Sequence, residues 1–319
     1  MKSIYQKNQQ DNKGMKKFSD LLKSEAKTLG FEKVGIARAE ETPREKSDLN
    51  KWIENDGHAS MEWLKKRKDE RGDIHTYFPE AKSVISVGLN YYVGKNQDNI
   101  NSDYKFSNYA WGEDYHDLIK KKLYQLLAWI KNHHPSVKGL ACVDTAPVME
   151  KVWAQKAGLG WIGKHTNLIT PDHGSWFFLG EIILDIDLYP DPLFSEDLCG
   201  SCTSCLDSCP TNALTEYKIE AEKCISYKTI EHRGEFSGSE ENLHGWIYGC
   251  DICQDVCPWN KKFSKETDLK EFLPKEEIVN WSSKDWENLD DESFRRIFKG
   301  SAVKRTKFKG LKRNIDHNK

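Results

Sequence analysis

The sequence predicts a mixed α and β protein, of the α+β or α/β class, followed by a cysteine-rich module and a short helical tail. Three observations support this prediction. Strand and helix patterns alternate up to about residue 190, eight of the nine cysteines lie between residues 199 and 257, and the C-terminal segment is strongly basic. A chain of 319 residues is long enough for two domains with a substantial core.

The chain is expected to have four segments. They are a disordered polar leader (1–14), a first domain (15–190), the cysteine-rich module (191–262) and a basic helical tail (263–319). The polar N-terminus lacks the apolar region of a secretion signal, and no apolar run approaches the roughly 18 residues of a membrane helix. Clustered cysteines are typical of metal ligation in a reducing compartment. We therefore expect a cytoplasmic protein, and the net charge of -2 excludes a globally basic nucleic-acid binder.

The first domain is expected to begin with an amphipathic helix over Met15–Leu29, because apolar residues recur there at helical spacing. Ser83–Leu89 is continuously apolar, which is typical of a strand buried on both faces of a sheet. Gly139–Asp144 is predicted to be another strand. The apolar segments Asn167–Thr170 and Ser175–Leu184 flank a turn sequence and predict a hairpin.

Two runs of cysteines carry the strongest chemical signal. The first run has the spacing C-x2-C-x2-C-x3-C-P and the second C-x2-C-x3-C-P, both typical of bacterial iron–sulfur proteins. The alternatives are a zinc site and a disulfide framework. Zinc rarely needs three cysteines two apart, and disulfides do not persist in a reducing cytosol. The sequence therefore predicts two 4Fe–4S clusters.

Each cluster needs four thiolates, and in two-cluster ferredoxins the fourth cysteine of a run ligates the other cluster. This rule assigns Cys199, Cys202, Cys205 and Cys257 to one cluster. It assigns Cys209, Cys224, Cys250 and Cys253 to the other. Cys224 lies outside both runs, and its alternative interpretation is a buried free thiol. The first domain is far larger than a simple electron carrier requires, so we expect it to consume the electrons with another redox cofactor.

A glycine-rich turn over residues 158–165 begins with the pattern G-x-G-x-x-G. A dinucleotide-binding fingerprint follows a strand, whereas this turn follows a predicted helix, of which Gly158 is expected to be the C-terminal glycine. As a phosphate-binding loop it has His165 where Ser or Thr is required. Neither nucleotide interpretation is favoured. We expect the turn to present Trp161, Lys164 and His165 to a flat cofactor.

The segment Asp114-Tyr115-His116 begins like the D-x-H-x-x-G signature by which some proteins donate a histidine to cobalt. Ile119 stands where that signature requires glycine. His116 is therefore interpreted as a structural residue.

Together these segments resemble the epoxyqueuosine reductase family, cobalamin- and iron–sulfur-dependent enzymes that complete queuosine in tRNA. The resemblance is carried by both cysteine runs and by G-H-A-S-M-E-W-L (57–64), V-D-T-A-P-V-M-E (143–150), K-A-G-L-G-W-I-G-K-H (156–165), F-L-G-E-I (178–182), C-I-S-Y-K-T-I-E (224–231) and I-Y-G-C-D-I-C-Q-D-V-C-P-W-N (247–260). It implies an N-terminal cobalamin-binding domain, related to reductive dehalogenases and nitroreductase-like folds, followed by a ferredoxin-like two-cluster domain.

The resemblance also implies a reaction. Electrons would pass from the two 4Fe–4S clusters to cobalamin and reduce epoxyqueuosine to queuosine at the wobble position of the tRNA anticodon. An external electron donor is expected, and the protein is expected to be a monomer. Two alternatives remain: a corrinoid enzyme similar to the reductive dehalogenases, and a ferredoxin-like electron carrier.

The family's proton donor corresponds to Asp144 in V-D-T-A-P. An ordinary aspartate has a pKa of about 3.9 and is ionised at neutral pH, but burial against a corrin would raise that pKa. The alternative role is a helix N-cap before Pro147. Because the cobalt-ligating signature is incomplete, cobalamin is expected in its base-off form without a protein ligand. The expected cobalamin contacts are Asp144, Trp161, Lys164, His165, Thr229 and Glu231.

The C-terminal segment 294–319 contains one acid, Asp316, among many lysines and arginines. We expect it to bind tRNA phosphates in a salt-dependent manner, with the modified nucleotide flipped out of its stack. The alternative is a solvated tail. Many family members end in a HEAT-like helical extension, which is expected to be absent or reduced here because the chain stops at Lys319.

Overall fold

The structure is a computed structural model that describes residues 4–95, 97–236 and 242–319, with side chains from residue 12 onward. The strands are β1 (Lys33–Arg38), β2 (Ser83–Asn90), β3 (Lys105–Phe106), β4 (Gly139–Cys142), β5 (Trp161–Ile162), β6 (Leu168–Ile169), β7 (Phe177–Leu184), β8 (Leu214–Thr215), β9 (Lys218–Ile219) and β10 (Trp246–Tyr248).

The helices are α1 (Ile4–Thr28), α2 (Pro43–Glu54), α3 (Glu62–Lys66), α4 (Lys68–Gly72), α5 (Ile74–Tyr77), α6 (Tyr115–His133), α7 (Glu150–Lys156), α8 (Ser204–Asp207), α9 (Ile225–Ile230), α10 (Ile252–Asp255), α11 (Pro258–Phe263), α12 (Glu276–Asn280), α13 (Ser283–Glu287), α14 (Asp291–Ile297) and α15 (Lys307–His317). Short 3-10 turns include Ala302–Thr306. None of the described helices is both long and apolar enough to cross a membrane.

A four-stranded sheet in the order β1-β2-β7-β4 forms the centre of the first domain. All three pairings are antiparallel, so of the two predicted classes the domain fits α+β. Every residue of β2 is buried, as its continuous apolar sequence predicts. The alternation of strands and helices along the chain therefore does not produce a parallel sheet.

The predicted hairpin is wrong. β7 pairs with β2 and β4, while β6 pairs with β5, and only a Thr170–Gly174 bridge joins the turn between β6 and β7. The physical reason is that β7 is almost continuously apolar, and nearly all of its residues are buried. Its central position in the sheet buries both faces, which a two-stranded hairpin does not achieve.

The first helix is longer than expected. α1 begins at Ile4, within the segment where disorder was expected, and Gly30 follows it with φ +91°. Lysine and glutamine are good helix formers, so the polar residues before Met15 can continue the helix. Residues 1–3 lie outside the described part of the chain.

The cysteine module and the tail pack onto the first domain. β10 pairs in parallel with β3, and Leu311 and Ile315 of α15 are fully buried in the same hydrophobic core as Ile119 and Leu123 of α6. The basic tail is therefore a folded element with an apolar inner face. Lys304, Lys307 and Lys309 are exposed, whereas Arg313 points inward and donates to the His232 and Gly234 carbonyls.

Candidate active site

The loop that follows β4 carries Asp144 in a left-handed conformation, with φ +40°. Such a conformation costs a non-glycine residue about 1–3 kcal/mol and is often found at functional sites. The Asp144 backbone N–H donates to Oε1 of Glu150 at 2.5 Å, which ties the loop to the start of α7. The Asp144 side chain is 55 % exposed, so the protein alone does not bury this carboxylate.

His116, near the start of α6, connects two carboxylates. Its Nε2 lies 3.0 Å from Oδ2 of Asp144, and its Nδ1 lies 2.7 Å from Oδ1 of Asp114. Burial disfavours the charged imidazole, but hydrogen bonds to Asp114 and Asp144 outweigh it and raise the pKa of His116 to about 9. At neutral pH, His116 is therefore a cation that holds the Asp144 carboxylate in place.

The interpretation of His116 as a purely structural residue therefore missed its contact with Asp144. The D-Y-H segment was weighed only as a cobalt ligand, and the pairing of α6 with the β4 loop is not visible in the sequence. The same is true of Glu150, which lies within the V-D-T-A-P-V-M-E segment and received no role.

Two acids lie behind the Asp144 loop. Glu181 on β7 is fully buried, and neither of its carboxyl oxygens has a hydrogen-bond partner among the described residues. Burial raises the pKa of Glu181 well above its usual range. Burial and then the charge of Asp144 raise the pKa of Glu150 to about 8. Glu150 therefore holds a proton at neutral pH, close to the Asp144 loop.

Two of the expected cobalamin contacts lie beside the cysteines instead. The Trp161 indole Nε1 is 3.5 Å from the Cys199 sulfur, and its ring packs edge-on against Trp259. Lys164 is buried and forms an ion pair with Glu216 at 2.7 Å. Their role as cofactor contacts stays a prediction, since both side chains already have partners in the protein.

Two further expected contacts belong to the packing of the tail. The Thr229 hydroxyl is buried, donates to the Ile225 carbonyl at 2.9 Å and accepts from the Gly249 N–H at 2.9 Å. Glu231 accepts two hydrogen bonds from Arg305, at 2.8 and 3.0 Å. The Arg305 charge also interacts with Asp144, so Glu231 borders the candidate site through Arg305.

His165 offers the best fit to a bound cofactor. Its ring is 3 % exposed, and its Nε2 has no hydrogen-bond partner among the described residues. Burial, followed by the nearby charge of Lys151, lowers the pKa of His165 to about 4, so the ring is neutral. Lys151 also interacts with Glu150 and Asp144. His165 therefore presents an unsatisfied polar atom on the Asp144 side of the protein.

The expected contact of the glycine turn with a flat cofactor stays a prediction, although Gly160 and Gly163 serve packing within the protein. A Cβ atom at Gly160 would lie 2.0 Å from the Ile169 carbonyl oxygen, and one at Gly163 would lie 2.5 Å from the Ile169 side chain. These two glycines make room for β6. Gly158, with φ +80°, follows the end of α7 as a C-terminal glycine, as the sequence predicts.

Charge interactions link thiols within each of the two predicted sets, and Cys253 also interacts with Cys205 of the other set. All nine cysteines lie within the described residues and are free thiols. We call Cys199, Cys202, Cys205 and Cys257 the outer set. Burial, then the charges of the other three members, raises the pKa of Cys205 to about 11. The turn between Cys199 and Cys202 exposes Gly200 and Ser201, so this set reaches the surface.

We call Cys209, Cys224, Cys250 and Cys253 the inner set. Burial, then the charges of Cys253 and Cys224 among its neighbours, raises the pKa of Cys250. The Cys253 thiol interacts with Cys224, Cys205 and Cys209, and its charge also acts on Lys151. The inner set is therefore linked electrostatically to the outer set through Cys205 and to Asp144 through Lys151. The individual ligand assignments stay predictions.

Comparison with known proteins identifies the family. Residues 71–145 match the model of epoxyqueuosine reductase QueG, DUF1730, and residues 198–260 match a 4Fe-4S double cluster binding domain. An epoxyqueuosine reductase from Cellulophaga algicola is 46 % identical over 303 residues, 94 % of this chain and 97 % of the relative. The chain belongs to the epoxyqueuosine reductase family. The predicted fold class and the double 4Fe–4S module are thereby confirmed.

Solved epoxyqueuosine reductases share the fold. One of them, crystallised with an epoxyqueuosine-modified tRNA-Tyr stem loop, has 29 % sequence identity to this chain. Its TM-score is 0.84, and the match covers 95 % of this chain and 80 % of that one. A Bacillus subtilis epoxyqueuosine reductase, with its catalytic aspartate loop swung out of the active site, is 27 % identical, with a TM-score of 0.84 over 95 % of this chain and 81 % of that one.

Proposed function

We propose that this protein reduces epoxyqueuosine to queuosine in tRNA, the last step of queuosine biosynthesis. The main support is similarity to an epoxyqueuosine reductase over 94 % of the chain. The arrangement of the molecule agrees with this function, because the inner thiol set adjoins the Asp144 loop through Lys151. A two-electron reduction needs both an electron supply and a proton donor at one place.

Cobalamin is the second cofactor in this proposal, in its base-off form. The residues that fit it lie around Asp144, above all His165 with its unsatisfied Nε2. His116 has both ring nitrogens engaged by Asp114 and Asp144, which agrees with cobalt having no histidine ligand. When bound, cobalamin supplies a cobalt centre that accepts electrons one at a time and acts on the epoxide carbon.

The reaction takes up two electrons and two protons, and the epoxide oxygen leaves as water. We assign Asp144 as the proton donor to that oxygen, in the protonated form that burial by bound cobalamin would favour. His116, held by Asp114, returns a proton to Asp144 along their 3.0 Å hydrogen bond. Because the His116 side chain is 29 % exposed, it can take up the next proton from solvent.

The electron donor is proposed to dock at the outer set. Cys199 and Cys202 are partly exposed, and the turn between them exposes Gly200 and Ser201. This exposed turn is the proposed entry point for electrons.

The tRNA is proposed to approach along the basic outer face of the tail. Lys304, Arg305, Lys307 and Lys309 are all exposed, and the Arg305 charge interacts with Asp144. Lys304 helps to lower the pKa of Asp114, although the hydrogen bond from His116 contributes more. Cations beside the site would attract the anticodon phosphates, and raised salt would weaken the binding steeply.

The decisive test is anaerobic reconstitution with iron, sulfide and cobalamin, followed by reaction with epoxyqueuosine-containing tRNA and a reductant. Nucleoside analysis should show conversion to queuosine. The proposal would be contradicted by a protein that shows the absorbance of its iron–sulfur clusters and of the corrinoid but converts no epoxyqueuosine. Cluster bands without any corrinoid absorbance would favour an electron carrier, and dehalogenation without conversion would favour the dehalogenase alternative.

A further inference from the structure

The segment 57–71 is not used by the mechanism above, although it borders the Asp144 loop. It contains α3, the following basic residues and Trp63, whose indole is 43 % exposed. An exposed tryptophan of this kind is uncommon, because burying an indole is strongly favourable. Its position therefore suggests a binding role.

Arg71 connects Trp63 to the active site. The Arg71 guanidinium lies 5.5 Å from the centre of the Trp63 ring. Its Nη1 donates to the Val148 carbonyl at 3.2 Å, within the segment that joins Asp144 to α7. The guanidinium also interacts electrostatically with the carboxyl groups of Glu150 and Asp144. The Arg71 side chain thus bridges Trp63 and the segment that follows Asp144.

The surroundings of Trp63 suit a nucleic acid. Lys65 and Lys66 are exposed, and within the described part of the chain neither side chain forms an ion pair or a hydrogen bond. Arg67 is different, because Glu70 neutralises it at 2.8 Å. A free indole flanked by unpaired cations is the combination by which proteins bind unpaired nucleotides, with stacking on the ring and phosphates on the cations.

We propose that Trp63, backed by Arg71, is a stacking platform for an unpaired nucleobase of the tRNA anticodon loop, next to the modified nucleotide. Flipping the modified nucleotide toward Asp144 removes the stacking partner of its neighbour. The Trp63 indole replaces that partner, while Lys65 and Lys66 contact the adjoining phosphates. This inference rests on the proposed function and names a second tRNA contact, formed by the first domain as well as the tail.

The test uses the reconstituted holoenzyme and two anticodon stem-loop RNAs, with 2-aminopurine on either side of the epoxyqueuosine. With the wild type, one of the two should lose fluorescence on binding as its base stacks. Trp63→Ala should abolish that loss and weaken binding roughly 5- to 150-fold, the range measured for single base–aromatic stacks. Trp63→Phe should restore most of both signals, because a phenyl ring still offers a stacking face.

Tyr124→Ala is the matched control, since Tyr124 is a 51 % exposed aromatic residue farther along α6. It should bind both RNAs like the wild type. Unchanged affinity or unchanged fluorescence loss in Trp63→Ala would overturn the platform. So would a loss of corrinoid absorbance in Trp63→Ala with stem-loop affinity intact, because Trp63 would then contact the cofactor. A wild type that converts no epoxyqueuosine would instead refute the proposed function itself.

Discussion

The outer and inner thiol sets are built from the same residue type but lie in different surroundings. The outer set reaches the surface at Gly200 and Ser201, whereas the inner set lies against the Asp144 side of the first domain, where Cys253 interacts with Lys151. We propose that this difference gives the module a direction, with electrons entering at the exposed turn and leaving beside Asp144.

The largest effect is expected from removing an inner thiol. Cys253→Ala should lose about half of the bound iron, since one of two four-iron clusters goes, and should abolish conversion with every reductant. Cys142→Ala is the matched control, because Cys142 is the one cysteine assigned to neither set. Iron analysis and nucleoside analysis measure both effects. Full iron content in Cys253→Ala would contradict the assignment of that thiol.

Removing an outer thiol should be less severe when the reductant is small. Cys202→Ala should block reduction by a protein donor, but dithionite should still support part of the conversion, because it does not depend on docking at the exposed turn. If Cys202→Ala and Cys253→Ala were equally inactive with dithionite, the proposed difference between the outer and inner sets would be contradicted.

Asp144→Asn separates proton delivery from electron supply. We expect both clusters to be reduced normally, and the conversion rate to fall about 100- to 10,000-fold, the usual contribution of a general acid. Rapid-quench nucleoside analysis gives the rate, and the cluster absorbance gives the reduction. If the Asp144→Asn variant kept its cofactors and converted epoxyqueuosine at the wild-type rate, Asp144 would not be the proton donor.

His116 should make a smaller, pH-dependent contribution to stability. Its folded pKa of about 9 lies above the ordinary histidine value of 6.5, so the charged imidazole stabilises the fold fully below about pH 6.5. This contribution is lost as the pH rises through about 9. His116→Gln should therefore lower the free energy of unfolding by on the order of 1–2 kcal/mol at about pH 6. This value allows for solvent screening of the ion pair at the exposed Asp144 side chain.

Urea unfolding of both proteins at about pH 6 and about pH 9.5 measures this effect. The difference between wild type and His116→Gln should shrink at the higher pH, because the wild-type imidazole is then neutral. A difference that grows with pH would show that the two carboxylates do not hold a charged ring.

The smallest effect is expected from the tail. Arg305→Gln should weaken stem-loop binding severalfold and reduce the slope of affinity against salt by about one phosphate contact. Lys13→Gln, which changes an exposed lysine on α1, is the control. If the slope of affinity against salt did not change, Arg305 would interact only with Glu231 and not with a phosphate.

The sequence predicted the parts of the molecule that depend on local spacing. The cysteine runs, the C-terminal glycine of α7 and the buried strand β2 all follow from neighbouring residues. The contact of His116 with Asp144 depends on packing of α6 against the loop after β4. The spacing of residues along the sequence does not predict this packing. The hairpin failed for a similar reason, because the two-sided apolar pattern of β7 does not name its partner strands.

The most direct test of the account is a single turnover without external reductant. Protein reduced anaerobically and freed of reductant holds one electron in each cluster, so it should convert about one epoxyqueuosine per molecule. Both clusters should be oxidised at the same rate as queuosine forms. Clusters that stay reduced while queuosine forms, or that oxidise with no queuosine, would contradict the claim that this module feeds the Asp144 site.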